Sequence, residues 1–568
     1  MLRTRCVFWG MKLPFFLLAA GTVLTLSAAA QPSAPATLKL PKPVIKALGQ
    51  VRPSDIKDHI WYLADDKLQG RQAGTPGYQI AVEYVSQQLR QLGVEPAGEN
   101  GTYVQRVRLR RATALPGATL TRRDAAPGST PQPLAYATDF SFNPHPEQPA
   151  ATVEAPVVFA GYGISAPELG YDDYAGLDAK GKLVVIVRGA PRNFPSTVAA
   201  ASQDLLMAMQ NAARHGAVGV LVAATVVPRT APSPTTKRVT TSVLNPEGKV
   251  AVSRTFIPNV GLQVVGNIGA VAFQDLLRTA ALDTGQVLPA LRQGKPASAA
   301  LRTTLRADYR SSYQDFDSYN VVGKLTGSDA TLRNEYVVHS AHLDHLGVAA
   351  PVNGDSIYNG AHDNASGVAS VLEIARIYSH LKQKPSRSLL FVLQTGEELG
   401  LLGSAYFASN PTVPKASIVA DVNTDMPTII APLLSVVPLG AQHSSLSQPV
   451  AEAAQYLGLT VEADPEPDQN RFIRSDQYSF VMQGIPALHI KYGNRTPDGK
   501  NNLSEQVQKW RAVTYHKPQD DTNGVFDFEA GKKYVQLNFL IGYLVAQNPA
   551  RPTWNPGDFF GQRFAQQR

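Results

Sequence analysis

Tyr336-Val-Val-His-Ser-Ala-His-Leu-Asp-His-Leu-Gly347, followed after a Gly/Pro/Asn-containing loop by Gly360-Ala-His-Asp-Asn-Ala-Ser-Gly367, is the stretch on which the reading of the chain turns. The apolar, β-branched run at 336–341 reads as a strand, and His342, Asp344 and Asp363 follow it in two short runs. From Asn320 onward the chain alternates: strands are expected at about 336–341, 389–394, 417–422 and 486–492, with helices at about 366–381 and 446–457. That alternation predicts an α/β domain built on a mixed, mostly parallel sheet sandwiched by helices.

In open α/β sheets functional residues gather beyond the carboxyl ends of the strands. Strand 336–341 runs into His342 and Asp344, strand 389–394 into Glu397-Glu398, and strand 417–422 into Asn423-Thr-Asp425. Asp363 precedes the helix opened by Asn364-Ala-Ser-Gly, and His516 lies in a later loop, Tyr515-His-Lys-Pro-Gln-Asp-Asp521. Nitrogen and oxygen donors without sulfur suit Zn²⁺ and allow Mn²⁺ or Co²⁺. Three carboxylates, one of them bridging, offset two divalent ions roughly 3.5 to 4 Å apart. Consecutive side chains diverge, so one glutamate of the 397–398 pair can bind metal while the other moves protons.

Other polar residues have plainer explanations. His339 and His489 lie within strands and are expected in the core; His345 and His362 flank the site and are expected to support it. Gly176-Leu-Asp-Ala-Lys-Gly-Lys-Leu183 has P-loop spacing up to the lysine, but it ends in Leu and precedes a strand, where a phosphate loop must open a helix.

Nearer the amino terminus, Ile56–Leu63 and Tyr78–Leu92 carry apolar residues at helical spacing around a glycine loop. Val104–Leu109 reads as a strand and 110–150 as a poorly patterned, Pro-rich bridge. A small unit follows, with strands near 157 and 183, a helix from about Asp204 to His215 and a strand at Gly219-Val-Leu-Val-Ala223. Residues 225–300 read as mostly loop with short strands.

At 568 residues the chain is long enough for several domains, and 44 glycines and 42 prolines with 17% charged residues indicate a loop-rich globular protein. The formal charge of +8 is spread out, with no basic run of the kind that binds nucleic acid. Arg3, Arg5 and Lys12, the apolar run Leu13–Leu26 and Ser-Ala-Ala-Ala ending at Ala30 fit a signal peptide, with a shorter form starting at Met11. Export to the periplasm or outside the cell is therefore expected, with no stable membrane span after cleavage, because the apolar core falls short of the roughly 20 residues a span needs. Cys6, the only cysteine, lies in that leader, so the mature chain has no disulfide and no thiolate ligand.

Five runs carry a resemblance: Ser340-Ala-His-Leu-Asp-His345, Gly360-Ala-His-Asp-Asn-Ala-Ser-Gly367, Thr395-Gly-Glu-Glu-Leu-Gly-Leu-Leu-Gly-Ser404, Asn423-Thr-Asp-Met426 and Tyr515-His-Lys-Pro-Gln-Asp-Asp521. In order and content they resemble the signature segments of the M28 (clan MH) zinc metallopeptidases. The resemblance implies a zinc aminopeptidase-like (phosphorylase/hydrolase-like) fold with an inserted, β-rich α/β protease-associated (PA) domain. The expected parts are a signal peptide (1–30), a flexible leader (31–43), the first part of the peptidase domain (44–150), the PA insertion (151–305), the catalytic domain (306–550) and a tail (551–568). The aromatic residues of that tail, Trp554, Phe559, Phe560 and Phe564, are expected to pack on the body or on a neighbour.

Carried over residue by residue, the resemblance implies that His342, Asp363 and Asp425 surround one zinc and that Asp363, Glu398 and His516 surround the other. It implies Glu397 as general base and acid, Asp344 orienting His342, Tyr515 donating to the oxyanion, and a cis peptide between Asp363 and Asn364. The expected reaction is removal of amino-terminal residues from peptides by a metal-bridging hydroxide. A glutamate-releasing carboxypeptidase or a dipeptidase is the enzymatic alternative, and would need a cationic pocket; Arg471, Arg474 and Lys491 are its candidates. A non-catalytic PA/M28-like receptor would have no need of the five ligand positions and Glu397. The sequence leaves side-chain preference and oligomeric state open.

Overall fold

The computed structural model describes residues 38–228 and 238–567. The expected signal peptide, the larger part of the leader and Cys6 lie outside the described residues. Strands β1 (Val104–Ala114), β2 (Ala299–Leu325), β3 (Tyr336–His342), β4 (Ser388–Gln394), β5 (Ile418–Asn423), β6 (Ser435–Leu439) and β7 (Ala487–Tyr492) form the sheet that carries the candidate ligands, in the order β1-β2-β4-β3-β5-β7-β6.

The four central strands are parallel: Tyr336 lies opposite Ser388 on one side and Ile418 on the other, and Asp421 opposite Ala487. The flanks are antiparallel, with Val321 opposite Leu393 and Val436 opposite Tyr492. Parallel strands need cover on both faces and therefore read as near-continuous apolar runs; every residue of β4, β5 and β7 is buried. One face is covered by α1 (Pro53–Leu63), α2 (Pro76–Gln91), α3 (Ser366–His380) and α4 (Phe528–Gln547), packed through Ile60, Val85, Leu372 and Leu537. The other face is covered by helices Leu402–Ser409 and Gln477–Val481, which contribute Phe407 and Phe480. The mixed sheet with a parallel centre expected from the alternation is the one observed.

β2 is 27 residues long and belongs to two sheets. Its carboxyl half pairs with β1 and β4, whereas Ala299–Arg310 pairs with strands Ala150–Phe159 and Thr119–Asp124. The second sheet continues through a parallel ladder of 150–159, 183–187, 219–223 and 264–268, closed by the antiparallel strand Phe140–Phe142. Residues 110–150 are therefore not an unpatterned bridge. They supply strands whose polar content, as in Thr119-Leu-Thr-Arg-Arg-Asp124, hides them from a search for apolar runs. Residues 225–300 likewise hold two helices, Ala270–Arg278 and Thr284–Arg292, the second with Pro289 inside it. Positions 150 and 305 fall at or inside strands, so the chain passes between the two sheets without a linker, and Lys39–Arg568 forms one compact unit.

In the tail, Phe559, Phe560 and Phe564 are buried on the body of the chain, Phe560 edge-on to His443 and to Phe472. No helix among the described residues is long and apolar enough to cross a membrane.

Candidate metal centre

Each candidate ligand sits where a strand or helix begins or ends. His342 is the last residue of β3, Glu397 and Glu398 follow β4, Asp425 follows β5, and Asp363 lies in the turn that opens α3. His516 comes just beyond helix Leu503–Thr514, in a left-handed conformation (φ 55°) that a non-glycine residue adopts only when its surroundings hold it there. The peptide bond between Asp363 and Asn364 is cis.

These segments meet as two nests sharing one carboxylate. Asp363 Oδ1 lies 3.3 Å from His342 Nε2, which is 3.6 Å from Asp425 Oδ1. The other oxygen, Asp363 Oδ2, lies 3.3 Å from His516 Nε2, which is itself 3.3 Å from Glu398 Oε2. Two ligands at 2.0–2.1 Å on a tetrahedral ion are about 3.3 Å apart, so these separations are those of ligand pairs on one metal. The donor atoms of His342, Asp363 and Asp425, and those of His345, Asp363 and Glu398, lie within 4.8 Å of one another.

Sequence reasoning gave His345 only a supporting place, and the geometry brings it closer than that. Its Nδ1 is 2.8 Å from Glu398 Oε1, yet both ring nitrogens and Glu398 Oε1 are buried without a hydrogen-bond partner. Such orphaned groups are rare and costly in a protein interior. A cation among Asp363, Glu398 and Asp425 would give the orphaned Glu398 oxygen a partner, so the carboxylate and imidazole donors fit divalent zinc. The 2.8 Å separation of His345 from Glu398 is shorter than two ligands of one tetrahedral ion require, whereas the 3.3 Å approach of His516 Nε2 to Glu398 matches it.

Electrostatics agree with cation-binding nests. Burial alone would pull the His342 imidazolium down, but Glu397, Asp363 and Asp425 outweigh it and raise its pKa well above the ordinary value. His516 is pushed up to about 10 by Asp363 and Glu398 against its own burial. Burial raises the Glu397 carboxyl well above the usual range; Glu398 and Asp476 push the same way, and His342 opposes them. A recessed carboxylate of raised pKa, beside the nests and not within them, is what a proton carrier requires.

Asp344 is placed beside His342 as expected, but by a different contact. The Asp344 main-chain carbonyl is 3.1 Å from His342 Nδ1, while its carboxylate accepts the Glu397 N–H at 3.1 Å. Tyr515 stacks on His516 with ring centroids 3.9 Å apart, and burial raises its pKa, keeping the phenol protonated. His339 and His489 are buried and their pKa values are lowered to about 3 by that burial, in line with core positions. His489 nonetheless touches the site, with Nε2 2.8 Å from the Asp425 carbonyl.

Sequence reasoning also missed the residues that tie the ligand loops together. Arg71, fully buried, donates to the carbonyls of Leu63, Leu343, Asn359 and Gly360, joining the segments of His342 and Asp363 to the amino-terminal helices. Asn364 accepts the Met426 N–H and donates to the Thr424 carbonyl, clamping the loop of Asp363 to that of Asp425. Both lie in runs the resemblance singles out, but their clamping roles carried no sequence signal, because their partners are main-chain groups that arrive from far along the chain.

Residues 320–532 match peptidase family M28. The chain is similar to leupeptin-inactivating enzyme 1 of Streptomyces exfoliatus, 28% identical over 268 residues that make up 46% of this chain and 55% of that protein. It is also similar to a probable leucine aminopeptidase 2 of Aspergillus oryzae, 28% identical over 258 residues, 43% of this chain and 47% of the relative. The chain thus spans about half the length of these curated relatives. Among solved structures, an aminopeptidase from Aneurinibacillus sp. strain AM-1 aligns with a TM-score of 0.48 at 20% identity, covering 90% of this chain and 98% of that one.

Proposed function

Residues 320–532 belong to peptidase family M28, a zinc peptidase family, and from that premise we propose that the protein is an exported di-zinc aminopeptidase that removes single residues from the amino termini of peptides. The observation that carries the reading is the pair of nests sharing Asp363, with Glu397 beside them. His342, Asp363 and Asp425 would hold one ion, and Asp363, Glu398 and His516 the other. Bound there, the two ions supply Lewis acidity to a carbonyl and bring a water toward ionisation near neutral pH.

The chain's own groups do the rest. Glu397 takes a proton from the attacking water and hands it to the leaving amine, so one carboxyl serves both halves of the hydrolysis. The Glu397 N–H bond to Asp344 fixes the glutamate's backbone against the loop of His342. The Tyr515 hydroxyl, kept protonated by burial, donates to the oxyanion. Names of the relatives that include an aminopeptidase support the choice of end. The leader at 1–30 is read as an export signal on its sequence alone. Residues 151–305 are read as an inserted PA domain, supported by their own parallel ladder, whose edge strand 150–159 pairs with the first half of β2.

The test is metal content together with hydrolysis of amino-acid anilides, before and after chelation and zinc reconstitution. Two zinc ions per chain, cleavage of free-amino anilides and no cleavage of amino-blocked ones are expected. Retained hydrolysis after complete metal removal, or preference for amino-blocked substrates, would overturn the reading.

A further inference from the structure

We propose that Thr197, His443 and Asp558 form a second catalytic site, independent of metal, that hydrolyses neutral esters with apolar acyl groups by way of an acyl-threonine. The inference goes beyond the peptidase reading and uses none of the residues of the metal centre. The three side chains come from separate parts of the chain: Thr197 from helix Ser196–Ser202, His443 from the turn after β6, and Asp558 from the tail, where it caps helix Phe559–Phe564.

His443 Nε2 lies 3.0 Å from the Thr197 hydroxyl, and His443 Nδ1 lies 2.6 Å from Asp558 Oδ2. A carboxylate only accepts, so in the neutral imidazole Nδ1 carries the proton and Nε2 is left to accept the Thr197 O–H. The carboxylate is itself held, because Asp558 Oδ1 takes the N–H groups of Phe560 (2.9 Å) and Gly561 (3.1 Å). The imidazole packs against Phe560 and Phe472, at ring-centroid distances of 4.7 and 5.5 Å. A hydroxyl, a base within hydrogen-bond reach and a third group orienting the base are what an activated nucleophile requires.

Thr197 also lines a cavity of ≈ 440 Å³ whose walls include Val437, Leu439, Val450, Val461 and Phe472, within the roughly 300–1,000 Å³ of small-molecule pockets. Arg471 lines it too: its side chain is 9% exposed, and among the described residues its Nη1 makes no hydrogen bond. A buried donor of this kind can meet the charge that develops on a carbonyl oxygen. Glu462 and Asp464 stand at the same cavity and would repel an anionic acyl group, which points to a neutral ester. A hydrogen-bonded tie among three segments would need neither the apolar cavity at the hydroxyl nor the unpartnered donor in its wall.

In the acylation step Thr197 Oγ1 attacks the ester carbonyl carbon while His443 Nε2 takes its proton. The bond from that carbon to the alcohol oxygen breaks, and Nε2 gives the proton to the departing alkoxide. Water, deprotonated by the same nitrogen, then attacks the acyl-threonine, and the released Oγ1 takes the proton back. Ester and water become acid and alcohol, with Asp558 ionised throughout.

The test uses the full chain, zinc-loaded and after chelation, with p-nitrophenyl acetate, butyrate and octanoate as probes. A burst of p-nitrophenolate stoichiometric with the chain is expected to survive chelation, to favour the longer acyl groups, and to leave one acyl group on the tryptic peptide of Thr197 after acid quench. Hydrolysis should fall by about a hundredfold or more in His443→Gln and to the rate of buffer in Thr197→Val, whereas Thr197→Ser, which keeps a hydroxyl, retains the burst. Thermal melts show that each variant is folded, and the acyl label on wild type decides the matter if one is not. Ester hydrolysis abolished by chelation, a Thr197 peptide free of label, or a folded Thr197→Val as active as wild type overturns the inference and leaves the three side chains as a structural tie. None of these outcomes bears on the peptidase reading, which zinc content and anilide hydrolysis decide separately.

Discussion

Asp520 Oδ2 accepts the main-chain N–H of Asp363 at 3.0 Å, so the loop of the shared ligand is held by a carboxylate from the segment that carries His516. The other Asp520 oxygen takes the His362 N–H at 2.9 Å, and its own carbonyl takes that of Ala361 at 2.9 Å. Burial raises the Asp520 pKa; His362 and its N–H bond oppose this. Asp520→Asn keeps the shape but turns one acceptor into a donor facing an N–H. A buried donor left unsatisfied costs about 1–3 kcal/mol. A lower melting temperature and weaker zinc affinity are expected, read by thermal melts at fixed zinc and by competitive zinc titration; a variant equal to wild type in both would refute the role.

Glu397 stands outside both nests, so its removal should separate chemistry from metal binding. Glu397→Ala is expected to retain two zinc ions per chain while kcat falls by about 10²–10⁴, the usual contribution of a positioned general acid–base group. Metal analysis and steady-state kinetics on the same preparation check both halves. Near-normal turnover, or loss of metal in parallel with activity, would remove Glu397 from the proposed role.

His342, Glu398 and Asp425 were legible because each comes shortly after an apolar run whose end can be seen in the sequence: Val337-Val before His342, Leu389-Leu-Phe-Val-Leu before the Glu397-Glu398 pair, Val419-Ala-Asp-Val before Asp425; Asp363 and His516, in a helix-opening turn and a late loop, were reached through the resemblance. The clamping contacts of Arg71, Asn364 and Asp520 were not legible, because their partners are main-chain groups that only the fold brings near. β2 was visible only from Asn320 on. Its first half, Ala299-Ala-Leu-Arg-Thr-Thr-Leu-Arg, alternates with charged and hydroxyl residues and is a strand because it has ladders on both sides, which local patterning does not encode. Of the cations beside the metal centre, Arg471, Arg474 and Lys491 were foreseen as residues, but the engagement of Arg471 by Glu466 and the arrival of Arg511 required the loops to be placed.

Metal removal should leave a protein whose stability depends on pH through its ligand imidazoles. The His516 pKa is raised in the metal-free fold from 6.5 to about 10, so its pairing with Asp363 and Glu398 contributes stability fully present below about 6.5 and lost as pH rises through about 10. Asp425 is depressed by Lys491 and His342 against its burial, so its contribution is present above the ordinary carboxyl value near 3.8 and lost as pH falls below it. Zinc needs the imidazoles neutral, so binding releases protons and apparent zinc affinity climbs with pH across the neutral range. Chelated protein melted at pH 6, 8 and 10 should lose stability on the alkaline side, and His516→Gln should flatten that loss. Proton release on zinc addition, measured in two buffers of different ionisation enthalpy, gives the same answer independently.

Gly542, within α4, sits against His339 of β3: an added Cβ would lie 2.2 Å from His339 Nε2 and 3.1 Å from the Tyr378 hydroxyl. Alanine improves helix propensity over glycine by about 0.8–1 kcal/mol, whereas overpacking a filled core costs about 1–3 kcal/mol. The imidazole is fully buried and cannot swing into solvent, so overpacking wins and Gly542→Ala is destabilising. Because His342 ends the same strand, a displaced His339 shifts a ligand, and zinc affinity should drop together with the melting temperature. His339→Ala alone leaves a cavity and is destabilising too, yet it clears the space the new methyl needs. The double variant should therefore be more stable than the sum of the two single losses implies, a coupling of about 1 kcal/mol or more for residues in contact. Denaturant unfolding of the four proteins at saturating zinc measures it; strict additivity would show that α4 and β3 do not meet at this pair in solution.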